Sequence, residues 1–413
     1  MILSLLATAV TGCLGSCSVP GDTDGDSSAV SGTDTVDIVP EVKITLDDGT
    51  QALISGGFRL DFKKTDSGYG IYVVDAENDG AVMYENDKPA MISVRGKGQD
   101  QFDEYDFSAA YSSVADTDKG YTALATVKTT GGSEFLFEDN YCIADTGAFV
   151  MSRKVKVSSA AEEDMGFRSL YSLDDPNGAV SVTGHEFFIP GILYKDSQDM
   201  VSHAIGADLD VDRMYVKETR TGLPLAMLRS SDNKYSVAVA HLNPSIDVGD
   251  NIGGGAHGDV NIDLQYGSVG YTVKKGLSVD FCYPSFEGPV VYYAKTDAKG
   301  VFHPVSTGIE HEYSLSVIPA KEETYADSMT YTYQKAYMTE SPKIAEGVDI
   351  KAVYDYNIDV FTKTYHEFGT GDVIAAGVPW SINLDNGRVV EYTFQMGFVG
   401  QQTSVGYNLM RAG

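Results

Sequence analysis

The chain has 413 residues, with 59 acidic against 30 basic side chains and a formal net charge of -29. That length accommodates two or three domains. So large a negative excess argues against nucleic acid as a partner, and equally against an anionic membrane surface or a polyanionic glycan held by broad electrostatics.

Met1 to Val10 is an apolar stretch the length of a signal-peptide core and too short to span a bilayer as a helix. Val10-Thr11-Gly12-Cys13 and Leu14-Gly15-Ser16-Cys17 follow it, each with small residues just before a cysteine, as in the lipobox of bacterial lipoproteins. A thiolate there carries the diacylglycerol anchor. Cys13 is better placed after the apolar stretch than Cys17, and no basic residue precedes that stretch, which departs from an ordinary leader. Residues 1–17 are therefore expected to be the leader and lipobox. Residues 18–39, rich in Asp, Ser, Gly and Thr, form an acidic tether that cannot bury a core. Asp22, Asp24 and Asp26 alternate like a calcium loop but lack its closing glutamate. The expected place is the cell envelope, on the outer membrane, with the anchor as the sole membrane contact.

Residues 40–320 repeat short alternating apolar segments divided by Gly, Asp, Asn and Lys turns, the pattern of an antiparallel sheet protein. Val42, Ile44 and Leu46 alternate with polar residues, as do Phe58, Leu60 and Phe62. Further strands are predicted at Tyr69–Val74, Ala90–Val94, Tyr121–Lys128, Phe149–Val157, Tyr235–Leu242, Tyr271–Tyr283, Val290–Lys295 and Tyr313–Ile318. Turns are predicted at Thr129–Gly132 and Asp297–Gly300. No internal repeat or linker cuts the region, so one large sandwich is expected rather than two small ones. Cys142 and Cys282 are read as thiols, since two cysteines make neither a disulfide framework nor zinc spacing.

After Pro319 the character changes. Residues 321–345 read as a helical linker. Ile350, Val353, Tyr354, Ile358, Phe361, Tyr365 and Phe368 then recur at three- and four-residue steps, the stripe of a helix closed by Gly369-Thr370-Gly371. A second helix is expected from about Glu391 to Met410. Residues 346–413 thus read as the first hairpin of a larger helical domain of which the chain holds only the start, because the apolar sides of both helices need further chain to cover them.

Leader, sandwich, linker and helical hairpin in this order resemble glycan-degrading lipoproteins of Bacteroidota, in particular six-hairpin glycosidases, where a β-supersandwich precedes an (α/α)6 toroid. The residues carrying the resemblance are Gly120-Tyr121 with Thr126 to Gly132, Phe149 to Val157, Gly166 to Ser169, Pro190-Gly191 with Tyr194, Glu218 to Pro224, Gly377 to Trp380 and Met396 to Gln402. The fold class it implies is mainly β, a large antiparallel sandwich followed by an incomplete toroid. The catalytic carboxylates of such enzymes stand on later toroid loops. The resemblance therefore implies a glycoside hydrolase whose catalytic pair lies beyond this chain.

Trp380, the only tryptophan, sits in a Gly-Val-Pro-Trp loop where a flat ring stacks on a sugar face or anchors the hairpin. Gln401 and Gln402, with Asn383, Asp385 and Arg388, are candidate partners for sugar hydroxyls. His185-Glu186 is a candidate acid–base or carbohydrate-contacting pair, or else a hydrogen-bonded loop support, followed by Phe187 to Gly191 as an aromatic loop reaching out of the sandwich. Lys217 to Arg220, followed by Gly222-Leu223-Pro224, is a charge-paired loop, either ligand-facing or structural. In a strand Asp208, Asp210 and Asp212 would share one face, as candidate calcium ligands; the alternative is an exposed loop. No cofactor is required beyond such a structural ion. Zincin, α/β-hydrolase and phosphate-loop motifs are absent from the sequence. Two functions stand: a lipid-anchored glycoside hydrolase acting on an oligo- or polysaccharide, and a non-catalytic glycan-binding or adhesin-like lipoprotein.

Overall fold

The computed structural model describes residues 42–98, 105–178, 182–195, 213–244, 260, 262, 266–273, 276–287, 299–341, 347, 349–368, 371, 372, 375–378, 381, 382, 389–391 and 401–412. The chain divides into two compact units, Met1–Pro342 and Lys343–Gly413.

The first unit is one sandwich of a 12-stranded and a 9-stranded sheet, with every pairing between named strands antiparallel. The 9-stranded sheet runs from Leu193–Lys195 and His185–Ile189 through Leu225–Ser230, Tyr235–Leu242, Glu310–Lys321 and Phe149–Ser159. It ends on Glu134–Ile143, Gly120–Lys128 and Ser113–Asp116. In the larger sheet Asp164–Asp174 is central, flanked by Ala81–Asn86 and Ala90–Gly96 on one side and Ser278–Tyr283 on the other. Period-two alternation decides which side chains meet between the sheets. Phe135, Phe137, Tyr141 and Ile143 from one strand and Phe149, Met151, Val155 and Val157 from its partner enter a single core, while Lys154 and Lys156 face out. The expectation of one large sandwich is met.

Tyr235–Leu242 is buried at every position instead of alternating. Helix α1, Tyr325–Glu340, explains it: Ala238 and Ala240 on the outer side of that strand join Ala148, Leu225, Met227, Ile318 and Ala336 in a second core under the helix. Ser328, Thr332 and Ala336, at four-residue steps, are the small buried residues that let α1 lie close to the sheet. Thr324 caps it, accepting from the Asp327 amide at 3.2 Å. The segment 321–345, expected as a linker, thus supplies a cover for the sandwich, because its small residues fit a sheet face that is apolar on both sides.

Two further expectations are corrected. Tyr271–Tyr283 is not one strand but a hairpin of Ser268–Thr272 and Ser278–Tyr283, with Gly276 at φ +138° in the turn. Phe187 to Ile189 do not reach outward. They end the His185–Ile189 strand, with Phe187 and Ile189 in the main core and Phe188 under α1, since aromatic residues at alternating positions are buried from both sides. The predicted strand Val290–Lys295 lies outside the described residues, and of the predicted turn Asp297–Gly300 only Lys299–Gly300 is described, paired with Phe286–Glu287.

The second unit holds helices α2, Ile350–Thr364, and α3, Gln401–Ala412, and two small hairpins, His366–Phe368 with Ala375–Gly377 and Ser381–Ile382 with Val389–Glu391. Asp349 caps α2, accepting from the Ala352 amide at 3.0 Å. The first helix was expected to run to Phe368 and the second to start near Glu391. Short strands occupy both places, so the described residues give helices joined through hairpins rather than a plain helical hairpin. No residue of α2 is buried. No helix among the described residues is long and apolar enough to cross a membrane.

Candidate functional site

A line of polar groups interrupts the apolar inward positions of the sandwich. Asp139 and Arg153 are cross-strand partners in phase with the core aromatics, and neither side chain is exposed at all. Arg153 donates from Nε to Asp139 Oδ1 at 2.8 Å and from Nη2 to Oδ2 at 2.6 Å. Its remaining donors reach Leu170 O at 2.6 Å, Pro89 O at 2.9 Å and the Tyr313 hydroxyl at 3.3 Å. All five guanidinium hydrogens are thereby used, two of them on the backbone of the opposite sheet and the residue leading into it. Tyr111 donates to Asp139 and shares a 2.7 Å hydrogen bond with Tyr141. The saturation of this pair makes it a tie between layers rather than a reactive group.

The line continues from Tyr313 to three histidines. Ser169 Oγ donates to Tyr313 at 3.2 Å and lies 2.8 Å from His311 Nε2, while His311 Nδ1 lies 2.8 Å from His303 Nδ1. A short contact between two imidazole nitrogens needs one donor and one acceptor, so the two rings are not both charged. The His311 pKa is held well below the usual imidazole range by burial, by His303 and by the Arg153 charge. The third histidine, His241, packs on Phe281 with ring centroids 4.8 Å apart, and on Tyr283 and Tyr313 at 6.2 and 6.3 Å.

Glu218 orients His241. The chain leaves the Arg213–Lys217 strand in a single 3₁₀ turn, Glu218–Arg220, which turns the Glu218 carboxylate inward. One oxygen accepts from the Gly267 amide at 2.9 Å and the other lies 2.7 Å from His241 Nδ1. An imidazole whose Nδ1 donates to a carboxylate presents its Nε2 lone pair, the tautomer of a base or hydrogen-bond acceptor. Glu340, at the end of α1, accepts from the Asn243 amide at 2.6 Å. Burial raises its pKa, against the Asn243 hydrogen bond and His241, which lower it, and the Glu218 charge adds to the rise. The Tyr283 hydroxyl is pushed up to about 12 by burial and by the Glu218 charge, and so stays a neutral donor.

His185 and Glu186, singled out in the sequence, have other partners. His185 Nε2 lies 2.7 Å from Asp175 Oδ2, and Glu186 pairs with Arg229, which also donates to Ser328 Oγ at 3.1 Å and to the carbonyls of Glu322 and Glu323. As strand neighbours, His185 and Glu186 point to opposite faces and are held by separate partners, so they do not form one acid–base pair. Gln401 and Gln402 stand at the first two positions of α3. Trp380, Asp208, Asp210, Asp212, Cys13 and Cys17 lie outside the described residues, as do Asn383, Asp385 and Arg388. Among the described residues no three His, Cys, Asp or Glu side chains gather to hold a metal ion. Cys142 and Cys282 are not joined in a disulfide. Glu218 belongs to the charge-paired loop Lys217–Arg220, and the sequence signal of its partner His241 is that it continues the inward phase of Val237 and Val239 yet is polar where that phase demands an apolar residue.

No known family model matches the sequence, and no curated protein matches it. Solved structures do. A 4-alpha-glucanotransferase from Thermococcus litoralis matches at 7% identity and TM-score 0.32, over 68% of this chain and 39% of that one. A galactose mutarotase-like protein from Lactobacillus casei matches at 12% identity and TM-score 0.36, over 66% of this chain and 100% of the other. An alpha-N-acetylgalactosaminidase from Bifidobacterium bifidum, a quadruple mutant, matches at 10% identity and TM-score 0.38, over 75% of this chain and 42% of that one. The chain spans less than half the length of the glucanotransferase and the galactosaminidase. These neighbours are carbohydrate-active by name.

Proposed function

We propose that this chain is the sandwich-bearing part of a carbohydrate-active lipoprotein, anchored at the outer membrane through Cys13, whose second unit opens a helical toroid carrying the catalytic carboxylates of a glycoside hydrolase. The observation that supports this reading is the order of the units and the state of the second one. A sandwich completed by its own covering helix is followed by a unit in which α2 leaves Ile350, Val353, Tyr354 and Tyr356 exposed. Helices of that length gain their stability by packing an apolar face, so these residues call for further helices against them. Glycosidic hydrolysis then needs two carboxylates placed across the bond, one as acid and one as base or nucleophile.

A second reading, a glycan-binding or adhesin-like lipoprotein without hydrolysis, is favoured by exposed aromatic rings at Tyr194 and Tyr337 in the first unit and at Tyr356 and Tyr407 in the second, which offer flat faces to sugars. Measuring reducing ends released from neutral polysaccharides by the product of the natural gene separates the two. Release supports the hydrolase; retention on a glycan array without release supports the binder. A gene product that neither binds nor cleaves any neutral glycan removes both.

A further inference from the structure

We propose that the sandwich itself holds a sugar subsite in which His241, set by Glu218, accepts a hydrogen bond from a ligand hydroxyl, with Tyr283 beside it and Glu340 at its rim. This rests on the carbohydrate reading above and adds a place for the ligand in the first unit.

The starting point is a hydrogen-bond count. His241 is 4% exposed, and its Nδ1 is taken by Glu218. Among the described residues its Nε2 has no hydrogen-bond partner. Nε2 is not one of the fully buried side-chain atoms without a partner, so this carboxylate-fixed acceptor stays open to a ligand. The carboxylate is itself anchored by the Gly267 amide, so the dyad keeps its direction without a ligand. The Tyr283 hydroxyl likewise makes no hydrogen bond to another described residue, and its ring lies 6.2 Å from that of His241.

An acceptor nitrogen, a neutral phenol donor, aromatic walls from Phe281, Tyr283 and Tyr313, and carboxylates at Glu218 and Glu340 suit a neutral polyhydroxylic ligand. The carboxylates disfavour an anionic one. A bound divalent ion is disfavoured by the ligand count, since no three metal-binding side chains meet among the described residues. Arg153 does not contribute, because its donors are all engaged with Asp139, Tyr313 and backbone oxygens.

The test uses the whole chain with 15N-labelled histidine and four probes: D-glucose, D-galactose, maltose and lactose. At least one probe should move the His241 Nε2 resonance while leaving His185 unshifted. His241→Gln and Glu218→Gln should each weaken that probe at least tenfold by calorimetry, and Tyr283→Phe should weaken it severalfold. A sugar that binds without moving the His241 signal, or that binds the variants as well as the parent, overturns the subsite and leaves the carbohydrate reading intact. If none of the four probes binds but larger neutral glycans do, the monosaccharide-sized subsite is again wrong. If no neutral glycan binds at all, both readings fall. Should the His241 or Glu218 variants not fold, the spectrum of the parent protein decides.

Discussion

Replacing Asp139 with Asn should destabilise the sandwich by about 3–5 kcal/mol, the cost of leaving one charge of a buried pair uncompensated. The structure argues for the upper part of that range. Asp139 receives both Arg153 Nε and Nη2, at 2.8 and 2.6 Å, together with the Tyr111 hydroxyl. Both charged side chains have zero exposure, so no water replaces the carboxylate. The neutral amide retains an acceptor oxygen but brings an NH₂ toward the guanidinium, and Arg153 remains charged. Against a typical total stability of roughly 5–15 kcal/mol, the loss would lower the urea midpoint markedly. The double variant Asp139→Leu/Arg153→Met removes both charges and should recover most of the loss, so the pair should show a coupling above about 2 kcal/mol in a double-mutant cycle. Urea unfolding followed by near-ultraviolet circular dichroism of the core tyrosines measures it. A single-variant loss under about 1 kcal/mol, or strictly additive effects, would refute the claim that this pair ties the sheets.

Three further outcomes follow from particular contacts. His311 is neutral in the fold with its pKa well below 6.5, so its contribution is complete above that pH and is lost as the pH falls beneath it, by up to about 1.4 kcal/mol per pH unit until the folded value is reached. Melting temperatures of the parent and His311→Asn should diverge at pH 7 and converge toward pH 5; parallel curves would show that folding leaves the His311 pKa unchanged. Ala336→Asp places a carboxylate in the apolar layer beneath α1, where Ala336 is 1% exposed, and should cost about 3 kcal/mol and open residues 322–341 to limited proteolysis. Cleavage no faster than in the parent would mean that α1 does not depend on that layer. Gly270→Ala would set a Cβ 1.9 Å from the Met214 carbonyl and force two paired strands apart, with a loss of at least about 2 kcal/mol by thermal unfolding. An unchanged melting temperature would show that the strands yield freely.

The sheet architecture was legible because alternation is a local property. Phe149, Met151, Val155 and Val157 mark their inward face without knowledge of the partner strand. What alternation hides is a polar residue in phase with that face, and Arg153 and His241 are both of this kind. Their reason for being inside is a partner far away in sequence or on another element, Asp139 across the hairpin and Glu218 in a 3₁₀ turn. His185 and Glu186 show the reverse: a strand sends neighbours to opposite sides, so of their two readings the hydrogen-bonded support fits their separate partners and the acid–base pair does not. The helix within 321–345 was legible, but not its packing on the sandwich, because Ser328, Thr332 and Ala336 form a small-residue stripe rather than an apolar one, and a contact made by close approach leaves little hydropathy signal. The burial of Tyr235–Leu242 on both faces could have been inferred from Ala238 and Ala240, which put apolar residues on the face opposite Val237 and Val239.

The measurement that bears most directly on the central claim is binding of the purified chain to an array of neutral glycans, repeated with competing free sugar. The account predicts retention on at least one neutral glycan class, abolished by the free sugar and weakened by His241→Gln. Retention only on sulfated or uronic-acid glycans, or none on any glycan, would contradict it.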